Sequence, residues 1–276
     1  MSYRALFKFA IIVALLAVLY AHVVQGVVYD WIHMPDFSHG FLIPMVSFFL
    51  VYERRKNLSV LNPSSHWGGF GLIILGILFL LLGNIATEYF TMRVSFIIVI
   101  AGIILFLLGK DFYKILLFPL IFLIFMIPLP SILMDRITFP MQVFASKMAA
   151  RALYLIKIPV LSEGNIIQLS NNYLEVSEAC SGIRSLISFL ALSVVFAYFS
   201  QKNIWKRILL ILSTFPIAII ANVARVTGAG VLAEYCGDSF ADGFFHGFSG
   251  LILFVVAFVC LFMVGALLSR IKKVNK

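Results

Sequence analysis

Three short stretches of the chain carry side chains able to do covalent chemistry. The first is Glu178-Ala-Cys-Ser-Gly-Ile-Arg184. Cys180 stands just ahead of an apolar run at 182–199, so its thiol falls near a helix N-terminus, where the dipole favours a thiolate. Arg184 lies four residues further on, shares a helical face with Cys180 and adds positive charge. Glu178 and Ser181 complete a polar neighbourhood. The plainer alternative is a small buried cysteine followed by an arginine that snorkels to the interface.

The second stretch is Asn222-Val-Ala-Arg225. Asn222 and Arg225, three residues apart, project from one face of an otherwise apolar helix. An arginine at membrane depth costs about 2.5–3.5 kcal/mol, so it needs an acidic partner, backbone carbonyls or an anionic substrate group. The structural alternative is a bridge to Glu178 or Asp242. The third stretch is Asp242-Gly-Phe-Phe-His246-Gly-Phe-Ser249-Gly, where His246 can act as acid or base near neutral pH or simply sit at the interface.

A nucleophile, a base and a fixed cation are the parts of thiol-based acyl transfer. Cys180 would attack a carbonyl, His246 would handle protons, and Arg225 or Arg184 would stabilise the oxyanion. His39 is a further candidate for substrate binding, with an interfacial or capping role as the alternative. Cys236, Asp238, Asp242 and His246 imitate a metal set but lack the compact spacing of a zinc motif. No metal and no cofactor is assigned.

The elements that must position these residues are membrane spans. Of 276 residues, 62% are hydrophobic and 12% charged, against about 45–50% and about 25% in a soluble domain. A chain of this length has too little interior to hide that apolar surface from water. The formal charge of +9 does not point to nucleic acid, because the basic residues fall in short clusters between apolar runs. They read as orientation signals facing anionic membrane lipids.

Apolar segments run at about 6–24, 41–52, 67–83, 94–109, 115–127, 182–199, 208–232 and 247–268. The second and fifth are short for a span of about 20 residues and must extend into their flanks or tilt less. Arg4 and Lys8 before the first run imitate a signal peptide, but it is read as a retained span. One set of alternate connections holds Arg4, Lys8, Arg54, Arg55, Lys56, Lys110, Lys114, Lys202, Lys206, Arg207, Arg270, Lys272, Lys273 and Lys276. That is 14 of the 21 basic residues, against the two acids Glu53 and Asp111. The expectation is an all-α polytopic membrane protein with about eight transmembrane helices and both termini cytoplasmic. The whole of 1–276 reads as a single integral membrane domain. Cys180, Arg225 and His246 then come from three spans and share the non-cytoplasmic side.

The long connection 128–179 is not plain linker. Residues 137–158 mix apolar groups with Lys147, Arg151 and Lys157, as an external helix lying in the interface would. Residues 165–169 and 173–176, joined by a turn at 170–172, read as a small hairpin leading into the sixth span. Cys260, inside the last apolar run, reads as packing.

The stretches EACSGIRSL (178–186), NVARV (222–226) and FFHGFSG (244–250) resemble the exosortase/archaeosortase family in order and topology. SHGFLIP (38–44) and LEVSEAC (174–180) are similar to it as well, so the likeness covers about 36–268. The resemblance implies a membrane cysteine protease or transpeptidase acting on exported proteins with a C-terminal tripartite sorting signal. That signal comprises a short motif such as Pro-Glu-Pro, a transmembrane helix and a basic tail. It further implies Cys180 as nucleophile, Arg225 as oxyanion group and His246 as acid/base, with cleavage at the outer face of a prokaryotic cytoplasmic membrane. Water, a lipid or a glycan is the acceptor. Histidine at the third position is similar to the bacterial exosortase pattern.

Two other classes compete. A carrier or export component, for example in exopolysaccharide secretion, would use intramembrane arginines to line an anionic path. The absence of recognisable repeats or paired broken helices counts against it. A non-enzymatic scaffold would tolerate substitution of Cys180, Arg225 and His246.

Overall fold

The computed structural model describes residues 3–170, 172–176, 182–236 and 244–271. Their contacts fall into two compact units, Met1–Pro130 and Ser131–Lys276.

In the first unit, α1 (Tyr3–His33) leads through a 3-10 segment, Pro35–Phe41, into α2 (Leu42–Glu53) and the short α3 (Arg55–Ser59). Then come α4 (Gly68–Ile85), α5 (Tyr89–Leu107) and α6 (Lys110–Phe122), which ends in a second 3-10 segment, Leu123–Met126. The helices are apolar almost all round, the pattern expected when lipid rather than water is the solvent. Polar groups therefore do the local fastening. Tyr20 is fully buried, with its hydroxyl 3.1 Å from Ser95 Oγ. Asp30 and Arg93 form an ion pair at 2.6 Å with both side chains largely buried. The indole Nε1 of Trp31 donates to the Met126 carbonyl at 2.8 Å, and Ser47 Oγ donates to that of Pro119 at 3.0 Å. Helices α4 and α5 pack backbone to backbone. A Cβ added at Gly76 would lie 2.5 Å from Val99 Cγ2, and one added at Gly83 2.7 Å from Met92 Cγ.

The second unit opens with α7 (Ser131–Leu155), followed by strands β1 (Leu161–Glu163), β2 (Ile166–Gln168) and β3 (Tyr173–Glu175). The strands form one antiparallel sheet in sequence order, with Ser162 opposite Ile167 and Ile167 opposite Leu174. Strand β1 is an addition to the two-stranded hairpin read from the sequence. Its turn into β2 uses Gly164 at φ +61°. Helices α8 (Ile183–Ser200), α9 (Ile204–Cys236) and α10 (Phe244–Arg270) complete the unit. One core joins Ala149 and Leu153 of α7, Ile167 of the sheet, and Val226 and Ala233 of α9. A second joins Phe189 and Ala197 of α8, Leu210 of α9, and Ala257 and Leu261 of α10. Helix α9 serves both cores and, at 33 residues, is about 50 Å long.

Among the described residues, five helices are long and apolar enough to cross a membrane: Ala10–His33, Gly68–Ile85, Tyr89–Leu107, Ile204–Tyr235 and Gly250–Arg270. A sixth follows if Lys110–Met126 and Ser131–Leu155 together count as one broken span. Helix length alone thus returns fewer spans than the eight apolar segments. The shortfall lies in α2, only 12 residues or about 18 Å, in α6 with its internal Pro119, and in α8, whose apolar part is Ser185–Ser200. Rather than lengthening as an α-helix, α2 is flanked by the 3-10 segment before it and a break at Arg54 after it.

Candidate functional site

Two of the candidate residues, Asn222 and Arg225, lie in the second unit beside the start of α8. Gly182 is the N-cap of that helix, with φ +83° in the left-handed region. Its carbonyl accepts from the Leu186 amide and from Ser185 Oγ, both at 2.9 Å, and so closes the first turn. A side chain at 182 would collide with α9: an added Cβ would lie 2.8 Å from Asn222 Cγ and 3.0 Å from Asn222 Nδ2. Glycine is thus required twice, for its backbone conformation and for the close approach. The segment emerging from the Cys180 motif is held directly against Asn222.

Asn222 is buried at 6% exposure. Its side-chain oxygen accepts from Arg225 Nη2 at 2.9 Å, as the i, i+3 spacing on one helical face allows. Arg225 is half-buried. On its other side runs α10, where a Cβ added to Gly250 would lie 3.9 Å from Arg225 Nη1. Gly182, Asn222, Arg225 and Gly250 therefore bring α8, α9 and α10 to one place. Thr227 Oγ1 donates to the Val223 carbonyl at 2.8 Å, which fastens the same stretch of α9. One turn further, Gly230 receives Leu153 of α7, whose Cδ1 would be 2.7 Å from an added Cβ.

The other candidates are placed as follows. Cys180 and Glu178 lie outside the described residues, as do Asp238 and Asp242 of the metal-like set. Arg184 and His246 fall in the first turns of α8 and α10, but their side chains, like that of Cys236, lie outside the described residues. His39 belongs to the first unit, in the 3-10 segment ahead of α2. Both its ring nitrogens are enclosed without a well-formed hydrogen bond. Burial pushes its pKa below the ordinary histidine value, only partly offset by the backbone of Phe125 and Asp36. The enclosed ring is therefore neutral at pH 7. Cys260 is a free thiol within α10.

Several residues that matter to the geometry carry little signal in the sequence. Gly182 and Gly250 belong to the chemistry-bearing stretches, yet nothing in those stretches identifies them as the points where helices touch. The Asp30–Arg93 pair was detectable as two charges at the edges of apolar runs, which at membrane depth demand partners. Glu234 near the end of α9 has a buried carboxylate oxygen without a hydrogen bond. A single acid so close to a helix end looks like an ordinary interfacial group in sequence.

A family model described as transmembrane exosortase matches residues 31–263. No curated protein and no solved structure matches the chain.

Proposed function

The chain belongs to the transmembrane exosortase family, a multi-pass membrane family, and from that membership we propose that it is a cysteine transpeptidase or protease that cleaves C-terminal sorting signals. The observation that carries this reading is the meeting of α8, α9 and α10 at Gly182, Asn222, Arg225 and Gly250. Cys180 is two residues from Gly182, and His246 is one helical turn from Gly250. All three proposed catalytic groups are therefore tethered by short, defined lengths of chain to a single cluster.

In the proposed reaction, the Cys180 thiolate adds to the scissile carbonyl of a membrane-tethered substrate. The positive end of α8 favours that thiolate. The carbonyl oxygen gains negative charge, which Arg225 stabilises, held in line by Asn222. Collapse of the adduct expels the amine, which takes a proton from His246, and leaves an acyl thioester on Cys180. A nucleophilic acceptor, either water or a lipid or glycan group, then gives its proton to His246 and takes the acyl group, so that the Cys180 thiolate leaves and the thiolate with its protonated histidine is restored. Arg184 is the second cation available to the oxyanion, and Glu178 is assigned to substrate binding. No cofactor enters these steps.

The proposal includes the topology: eight spans within one membrane domain, 1–276, both termini in the cytoplasm, and chemistry at the outer face of a prokaryotic cytoplasmic membrane. The distribution of basic residues between apolar runs supports it. The short helices α2, α6 and α8 would then cross with help from their 3-10 or polar flanks.

The test follows a tagged protein carrying a C-terminal sorting signal in cells that express the wild type or Cys180→Ala, Arg225→Ala or His246→Ala. Amounts of each variant in the membrane are measured in parallel. Loss of processing in all three at unchanged abundance is expected, with Arg225→Ala slowed by about 100- to 1,000-fold. Normal processing by Cys180→Ala would remove the nucleophile and with it the proposed reaction.

A further inference from the structure

A cavity of about 500 Å³ opens beside α7, lined by Lys147, Arg151, Tyr154 and Leu155 of the helix and by Val160 and Ser162 at the start of the sheet. Lys147 and Arg151 stand one turn apart on the exposed side of α7. Neither forms an ion pair among the described residues. Like charges at this spacing repel and weaken a helix, so the pair is an unfavourable choice unless an anion is shared between them. Among the described residues no acid lines the cavity. The nearest along the chain, Glu163, alternates to the other face of its strand from Ser162, where its carboxylate accepts from Gln168 Nε2 at 3.4 Å.

The floor of this cavity is firmly built. Ser162 Oγ lies 3.0 Å from Oγ of the fully buried Ser146. Ala149 and Leu153, on the opposite side of α7, have essentially no exposed surface and anchor it to α9. The rim is of a different character. Tyr154 and Leu155 are 72% and 81% exposed, giving an apolar collar next to the two cations. A water-facing surface gains nothing from that combination. At a bilayer interface, the collar meets acyl chains, the tyrosine sits at headgroup level, and the cations meet phosphate.

We infer that Lys147 and Arg151, with Ser162 beneath them, form a binding site for the phosphate headgroup of an anionic membrane lipid. The charge pair selects the phosphate and the collar selects a lipid over a soluble phosphate ester. The site rests on the membrane location proposed above and on the reading of residues 137–158 as a helix lying in the interface, and is independent of the chemistry at Cys180.

The full-length protein, purified in detergent, is exposed to phosphatidylglycerol or phosphatidylcholine, and the lipid retained is read by native mass spectrometry. Phosphatidylglycerol is expected to be retained in preference. Lys147→Gln/Arg151→Gln should reduce its affinity by roughly 30-fold, from the contribution of two basic residues at a membrane surface. The control Lys110→Gln/Lys114→Gln should leave it within about threefold, and so should the charge-keeping Lys147→Arg/Arg151→Lys, since charge dominates the term. Unchanged retention in the neutralised variant overturns the site. An equal loss in the control means diffuse surface charge, and an equal loss in the charge-keeping variant means damage to packing; either also overturns it. Equal binding of glycerol 3-phosphate would make this a soluble-anion site and overturn the lipid assignment. Signal processing is measured separately on the same variants. Lipid loss with processing intact leaves both proposals standing, whereas lipid retention with a failed Cys180 test removes only the enzymatic one.

Discussion

Arg225 Nη2 donates to Asn222 Oδ1 across 2.9 Å, while the same asparagine closes over the Cα of Gly182 at the start of α8. One amide side chain thus touches both the guanidinium and the backbone that follows the cysteine motif. Its burial makes the contact directional, because an amide withdrawn from water keeps the partners it has.

Asn222→Ala should therefore impair processing without removing any proposed catalytic group. Arg225 would retain its charge but lose the acceptor that fixes its direction. A displacement of the order of 1 Å costs about 100-fold in a positioned reaction, so a decrease of about 10- to 100-fold is expected at unchanged membrane abundance. Processing rates for Asn222→Ala and Arg225→Ala, alone and combined, decide the point. If the two residues act as a unit, the double variant is no slower than Arg225→Ala. Multiplied losses would show that Asn222 acts by another route.

Gly182→Ala tests the backbone side of the same relationship. A Cβ there meets the Asn222 side chain at 2.8 Å and also forces alanine into a left-handed conformation that costs roughly 1–2 kcal/mol. A lowered melting temperature and loss of processing are expected together. In Gly182→Ala/Asn222→Ala, Cγ and Nδ2 of residue 222 are gone and part of the stability should return, because the closest contacts are removed while Cβ of residue 222 stays 3.1 Å away and the backbone strain persists. Activity should not return. Recovery of both would mean that the close approach matters only for folding.

The sequence made the helices and the chemistry-bearing stretches legible for different reasons than it would in a soluble protein. Run length identified α1, α4, α5, α9 and α10, since lipid demands long unbroken apolar segments. The same criterion overextends at α2, where helix geometry stops at Glu53 and no local residue announces it. Asn222 and Arg225 were legible as a pair because i, i+3 spacing is a local property. Gly182 against Asn222, and Gly250 beside Arg225, were not, because such contacts depend on how α8, α9 and α10 pack. Strand β1 was equally hidden: Leu161–Glu163 has a single alternation, too short for periodicity to register.

Asp30 and Arg93 illustrate the same limit and give a stability prediction. Each side chain is 14% or less exposed, and removing one leaves the other charged and buried, at a cost of about 3–5 kcal/mol. Asp30→Asn and Arg93→Gln should each lower the melting temperature in detergent markedly. The double variant should lose much less than the two losses added, as expected for residues in contact. Additive losses would show that each acts through other neighbours, for example Arg93 through the Tyr89 ring 5.7 Å away.

Glu88 supplies a pH dependence with a definite sign. It caps α5, its carboxylate accepting from the Phe90 amide at 3.1 Å and the Thr91 amide at 2.6 Å. Burial pushes its pKa upward, but the hydrogen bonds from Thr91 and Phe90, with the positive charge of Arg93, outweigh that and hold it below the ordinary value of 4.5. A carboxylate held down in the folded state adds stability that is complete above its unfolded pKa and is lost as pH falls through the folded one. Glu88→Ala should therefore cost about 1 kcal/mol near pH 7, and the gap from wild type should narrow on acidification below about pH 4.5. Melting temperatures of both proteins across that range provide the measurement. A gap that stays constant into acid would mean that the cap works without its charge.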